Sequence, residues 1–209
     1  MLKQTSHNTD YNLELLAAKE LKKFDNGKYI FGDPAAVPIE EIIENHYGIS
    51  IEYHCLRKNM RTLGQMIFDG GHVPIYDREK QEYTLIDVMP NTMLIDIRLI
   101  ENSRYENRLR FTYAHELAHY LMDRTYFANS EQSPALVMGE YSNNSNDAIE
   151  RRANMLCSYL LIPTGQMKKA FNRLVAKGQT KTIVYDMSKI FGVSEQAMKI
   201  RLSEHGLLI

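Results

Sequence analysis

Residues 115–119 read His-Glu-Leu-Ala-His, inside a stretch that strongly favours one conformation. Across residues 111–123 there is no Pro or Gly, and Phe111, Ala114, Ala118, Leu121 and Met122 recur at helical spacing. This predicts an α-helix with one apolar face turned to a core. On such a helix His115 and His119 are four residues apart, about one turn, so both imidazoles leave the same side and can hold a single Zn²⁺. Glu116, turned by roughly 100° from His115, falls on the flank of that sector, near enough to polarise a water but directed away from ligation.

Two imidazoles do not complete a catalytic zinc site, which usually takes three protein ligands and leaves the fourth position to water. Asp123 is a full turn beyond His119, about 6 Å further along the axis at 1.5 Å per residue, too far to share the ion, and is read as an outlying polar group. Residues 147–163 form a second helical pattern, with an apolar stripe at Ile149, Ala153, Leu156 and Leu160 and a terminator at Pro163. Glu150, Asn154 and Cys157 make a neighbouring stripe, so Glu150 could face the histidines. Asp147-x-x-Glu150 equally fits a capping box, in which Asp147 is the N-cap and Glu150 reaches back to its amide. Spacing leaves these two readings open. Cys157, alone on a mostly apolar helix, reads as a small buried hydrophobe and is left out of the site.

These two segments together resemble the ImmA/IrrE family of metallopeptidases. The family pairs an Arg-x-x-Phe-Thr-x-Ala-His-Glu-Leu-Gly-His helix with a later Glu-x-x-Ala-Asn-x-Phe-Ala-x-x-Leu-Leu-Met-Pro helix. Arg108, Phe111, Thr112, Ala114, His115, Glu116, Leu117 and His119 match the first pattern, with Ala118 in place of Gly. Glu150, Ala153, Asn154, Leu160, Leu161 and Pro163 match the second, with Leu156, Cys157 and Ile162 replacing Phe, Ala and Met. The likeness extends loosely from about residue 35 to the C-terminus. It implies Glu150 as third ligand beside His115 and His119, one Zn²⁺ per chain, and Glu116 as general base of an endopeptidase. It further implies a protein partner, a helix-turn-helix transcriptional repressor of a mobile element or stress response.

Zinc held in this way would bring the pKa of its water toward neutrality and polarise a scissile carbonyl, with Glu116 relaying the proton to the leaving amine. A further donor is needed for the developing oxyanion. Tyr126 and Tyr141, between the two motif helices, are candidates, as is a Tyr or Arg from elsewhere among the thirteen tyrosines and the many arginines. Residues 124–146 are rich in Asn, Ser and Pro and read as a connection beside the cleft.

The 209 residues carry 25 basic and 26 acidic side chains and only two cysteines, Cys55 and Cys157. That suits one core with an appendage in a reducing cytoplasm, without a disulfide framework. There is no apolar leader pattern at the N-terminus and no stretch as long as a membrane span, so secretion and membrane insertion are disfavoured.

Helices are expected over residues 11–24 and 38–47, the second stopped by Gly48. Strands are expected over residues 49–53, 64–68, 72–76 and 93–97. The fold class is therefore α+β: a zincin-like core with a small, mainly antiparallel sheet and the His-Glu helix, spanning residues 1–165, then a helical segment over 166–209. An edge of that sheet could pair with a substrate strand. Residues 166–209 hold eight basic and three acidic side chains, a net +5. Within them residues 184–202 resemble a helix-turn-helix, with Gly192 at the turn and Ser194 as cap. If that segment met DNA, Glu195, Gln196 and Lys199 would face the groove, with Lys181, Lys189 and Arg201 near phosphates. A DNA-binding or repressor-binding regulator that retains the metal site is thus the alternative reading.

Overall fold

Thr92–Asp96 (β5) is buried at all five positions, and the rest of the fold is arranged around it. The structure is a computed structural model that describes residues 4–128 and 143–208, with side chains for 12–122 and 147–208. Ser50–His54 (β1) pairs with β5 in parallel, and Gly64–Ile67 (β2) pairs with its other side antiparallel, giving the order β1-β5-β2. A strand covered on both faces needs a continuous apolar run, which Met93-Leu94-Ile95 supplies. Alternate residues then serve different cores: Met93 and Ile95 join the main one, while Leu94 packs with Leu56, Ile67, Val73 and Val88.

The smaller cluster lies beneath an antiparallel hairpin, Gly71–Asp77 (β3) with Glu82–Val88 (β4). Strand β4 was not expected from the sequence. Its Ile86 and Val88 pack on the smaller cluster, but its Tyr83 and Leu85 are exposed, so apolar residues fall on both faces and blur the alternation. Two of the three pairings are antiparallel, as expected of the sheet, and β1–β5 is the parallel exception. Buried Asp96 ends β5: its carboxylate accepts from the amides of Leu56 and Arg98 and pairs with the Arg98 guanidinium at 2.7 Å.

The α-helices that precede residue 162 all contribute to the main core. Gln4–Lys23 (α1) precedes a single short turn, Lys28–Phe31 (α2). The helix expected over residues 38–47 is shorter in its α part, Ile39–Glu41 (α3), and widens into a π turn over Ile42–His46, where the Tyr47 amide reaches Ile42 O at 3.1 Å. Gly48 ends it at φ +63°, as its place in the sequence suggested. The motif helix is Glu106–Ala128 (α4), which packs Ala114, Leu117, Ala118 and Leu121 into the core. Its partner is Asn143–Leu161 (α5), with Ala153, Leu156, Cys157 and Leu160 buried in the same core.

The C-terminal helices Thr164–Ala176 (α6), Ile183–Phe191 (α7) and Glu195–Glu204 (α8) contribute Met167, Met187, Phe191, Met198 and Leu202 to that cluster. Gly192 closes α7 at φ +62° and Ser194 Oγ accepts from the Ala197 amide, the turn and cap read from the sequence. Arg110 fastens this turn to the motif helix by donating to Gly192 O at 2.9 Å and Val37 O at 2.7 Å. Arg201, placed near phosphates by the sequence reading, is instead 1% exposed. Its guanidinium lies over the Tyr159 ring and donates to Thr164 Oγ1 and the Glu204 carboxylate. A side chain held in this way helps dock α8 and cannot meet a nucleic acid. Lys181, Lys189, Glu195, Gln196 and Lys199 are exposed.

Candidate metal centre

Helix α4 places the imidazoles of His115 and His119 one turn apart, with their Nε2 atoms 3.1 Å from each other. Glu150 reaches across from α5, putting one carboxylate oxygen 3.2 Å from His115 Nε2 and the other 3.3 Å from His119 Nε2. Tetrahedral coordination at metal–ligand distances of about 2.0–2.1 Å separates neighbouring ligand atoms by about 3.3 Å. The two histidine nitrogens lie near that spacing from each other, and each lies near it from one of the two Glu150 oxygens, while the set's two-nitrogen, one-oxygen chemistry suits Zn²⁺. Among the described residues they form the one group of three or more His, Cys, Asp or Glu side chains able to hold a metal ion.

The capping-box reading of Glu150 does not survive. Helix α5 begins at Asn143, so Asp147 lies inside the helix instead of capping it, and the Glu150 carboxylate is turned to the histidines. Asn154, one turn beyond Glu150, has its Oδ1 atom 3.1 Å from His115 Nδ1. A proton on Nδ1 donated to that oxygen leaves Nε2 free as a ligand and fixes the ring plane. The sequence reading put Asn154 on the same stripe as Glu150 without giving it this part; the i, i+4 spacing was the available signal. Phe111 stacks on the other side of the His115 ring, with centroids 6.1 Å apart.

Glu116 is buried beside the pair. A Cβ at Gly64 of β2 would fall 2.7 Å from the Glu116 side chain, so glycine there lets the sheet edge close on the carboxylate. Burial, then the negative charge of Glu150, pushes the Glu116 pKa up to about 8, partly offset by the Met66 amide. Such a group is poised to exchange a proton near neutral pH. Burial and the neighbouring His115 lower the His119 pKa, favouring the neutral imidazole that ligation requires. Cys157 is fully buried, its thiol directed at Phe111 O at 3.5 Å and its pKa raised by burial, as suits an inert packing residue.

The centre opens into a cleft of about 630 Å³. One wall is β2 and the residues before it, Arg61 to Gly64 among them; the other is α4 and α5. The side chains of Asp123 and Tyr126, all of Tyr141 and the middle of the expected 124–146 connection lie outside the described residues, while the ends of that connection are helical.

A family model described as the IrrE N-terminal-like domain, of a peptidase family, matches residues 88–203, more than half the chain and both motif helices. The chain belongs to this family. No match is found among the curated proteins. The fold is also similar to a solved structure of a Mycobacterium tuberculosis transcriptional regulator, with a TM-score of 0.53 and 13% identity, over 92% of this chain and 46% of that one. At that identity the likeness speaks to the fold, and this chain spans less than half the length of that regulator. Membership of the family makes the chain peptidase-like, and the convergent donors suit a bound metal ion.

Proposed function

We propose that the chain is a zinc-dependent endopeptidase that cleaves a protein partner, with His115, His119 and Glu150 as ligands and Glu116 as general base. The observation that carries this reading is the convergence of His115, His119 and Glu150, with one potential ligand atom from each within 4.8 Å of the others, beside a buried carboxylate in an open cleft. When bound, the ion supplies Lewis acidity that makes water a better nucleophile and a carbonyl a better electrophile. Glu116 takes the proton of the attacking water and delivers it to the leaving amine. Asn154 and Phe111 hold His115 in place, and β2, at the edge of its sheet, offers backbone groups along which an extended substrate can lie.

The partner we favour is a helix-turn-helix repressor whose cleavage relieves transcription in a mobile element or stress response. Family membership supports this class of partner. We assign residues 1–165 to the metallopeptidase-like part and 166–209 to a helical segment sharing its core, and place the protein in the cytoplasm, where Cys55 and Cys157 would stay reduced. Among the described residues no helix is long and apolar enough to cross a membrane.

A regulator that binds a repressor or DNA and keeps the metal site is the alternative, favoured by the exposed Gln196 and Lys199 on α8 and weakened by the burial of Arg201. Incubating the zinc-loaded chain with a co-encoded repressor separates the two. Wild type should cut it, and Glu116→Gln should bind metal yet cut at least 10²-fold more slowly, on the scale of a lost general base. Equal cutting by both would remove Glu116 from the mechanism.

A further inference from the structure

Phe111 is the shared wall between the metal cleft and a second cavity of about 390 Å³. The second cavity continues the same side of both motif helices. Arg108 on α4 and Arg104 in the 3-10 turn just before it precede Phe111, and on α5, Ser158 extends the stripe of Glu150 and Asn154. The floor is apolar, with Leu161 of α5 and Val193 before α8. At 1.5 Å per residue, Arg108 lies about 10 Å from His115 along the axis, and Arg104 roughly one turn further.

The charges of this groove are uncommitted. Arg104 and Arg108 are exposed, and neither guanidinium has an ion pair or hydrogen bond among the described residues. Arg110, by contrast, is spent on Gly192 O and Val37 O. The acidic residues of the adjoining turns, Glu106 and Glu195, are exposed and do not line the cavity.

Direction follows from β2. Gly64 lies against Thr112 and Glu116, while Phe68, just past the strand, stacks on Tyr120, so β2 runs in the same sense as α4. A chain pairing antiparallel with β2 would enter at the Phe68 end, pass the metal centre and leave toward Arg108. At about 3.3 Å per residue, its third to fifth residues after the scissile bond would reach the two arginines.

Resting on the peptidase reading, we infer that this cavity is the docking groove for an acidic segment of the protein substrate. That segment lies three to five residues beyond the cleaved bond, with an apolar side chain seated on the floor and carboxylates paired with Arg108 and Arg104. Opposite charge at an open rim contributes selectivity and encounter rate more than raw affinity.

The test uses two fluorescein-labelled peptides, one alternating Leu and Glu and its Gln counterpart, titrated onto the full-length Glu116→Gln chain by fluorescence anisotropy. The Glu peptide should bind roughly tenfold tighter at low salt. Arg104→Gln/Arg108→Gln in the same chain should bring the two peptides to within about twofold. Equal binding of both peptides, or a preference that survives the double substitution, overturns the groove. In a second arm, wild type with zinc is given a random peptide library and its cut sites are sequenced. Enrichment of Asp and Glu three to five positions after the cut supports the inference, and cutting without it counts against it. Arginine-dependent binding with no cutting at all would keep the groove and count against the peptidase reading alone.

Discussion

Arg201 and the centre between α4 and α5 each bring charged or polar groups together, and they resolve the problem in opposite ways. At Arg201 the buried charge meets its complements: Glu204, Thr164 Oγ1, Ile162 O and the face of Tyr159, leaving only Nε without a partner among the described residues. At the centre between α4 and α5, two imidazoles and a carboxylate converge, with a second, buried carboxylate beside them whose charged form is disfavoured by burial and by Glu150. A satisfied buried charge organises the fold, whereas convergent donors make sense only with something between them. The contrast sets Arg201 in the architecture and marks the histidine pair as the candidate site.

That contrast can be broken most forcefully at Glu116. Its folded-state pKa is raised from 4.5 to about 8, so the folded chain holds a proton that the unfolded chain has released. Stability of the metal-free protein therefore falls as pH rises through this window, and the loss is complete only above the folded pKa. Metal-free Glu116→Gln, which carries no such charge, should gain roughly 3 kcal/mol over wild type at pH 7 and little at pH 4. Denaturant melts across that range measure the gap; a constant gap would mean that the burial of Glu116 costs nothing electrostatically.

Next in size, Asn154→Ala should weaken metal binding or cleavage by about 10–100-fold, because His115 loses the partner that holds its ring. Competition with a chelating dye reads this, and an unchanged affinity would reduce the His115–Asn154 contact to ornament. Arg201→Ala should do the reverse, lowering stability by about 2 kcal/mol while leaving metal affinity as it was. If it lowered metal affinity instead, the division between the two regions would fail. Smallest is Gly64→Ala, whose new methyl must displace the Glu116 side chain. A cost of about 1–2 kcal/mol, with slower cleavage but normal metal content, is expected in melts and turnover assays.

The parts legible in the sequence are those whose signal is local. The histidine helix announces itself through apolar periodicity without a breaker, Gly192 and Ser194 mark the α7–α8 turn, and β5 shows as an unbroken apolar run. Glu150 was half legible: helical spacing put it on a stripe that could face the histidines, as it does, and only the family resemblance favoured that reading over a cap. Strand β4 and the burial of Arg201 were not legible, because each depends on a partner distant in sequence. Strand β4 is held by β3 and has apolar side chains on both its covered and its exposed face, and Arg201 is buried by Tyr159 and Thr164, some forty residues earlier. Gly64 likewise gains its meaning only when the sheet edge meets α4.

If His115, His119 and Glu150 hold one metal ion between them, elemental analysis of the purified full-length chain after zinc is supplied should find one zinc per wild-type chain, a marked loss in Glu150→Ala, and full retention in Arg201→Ala. A wild type that stays metal-free, or a Glu150→Ala chain that binds zinc as tightly as wild type, would contradict that three-ligand site.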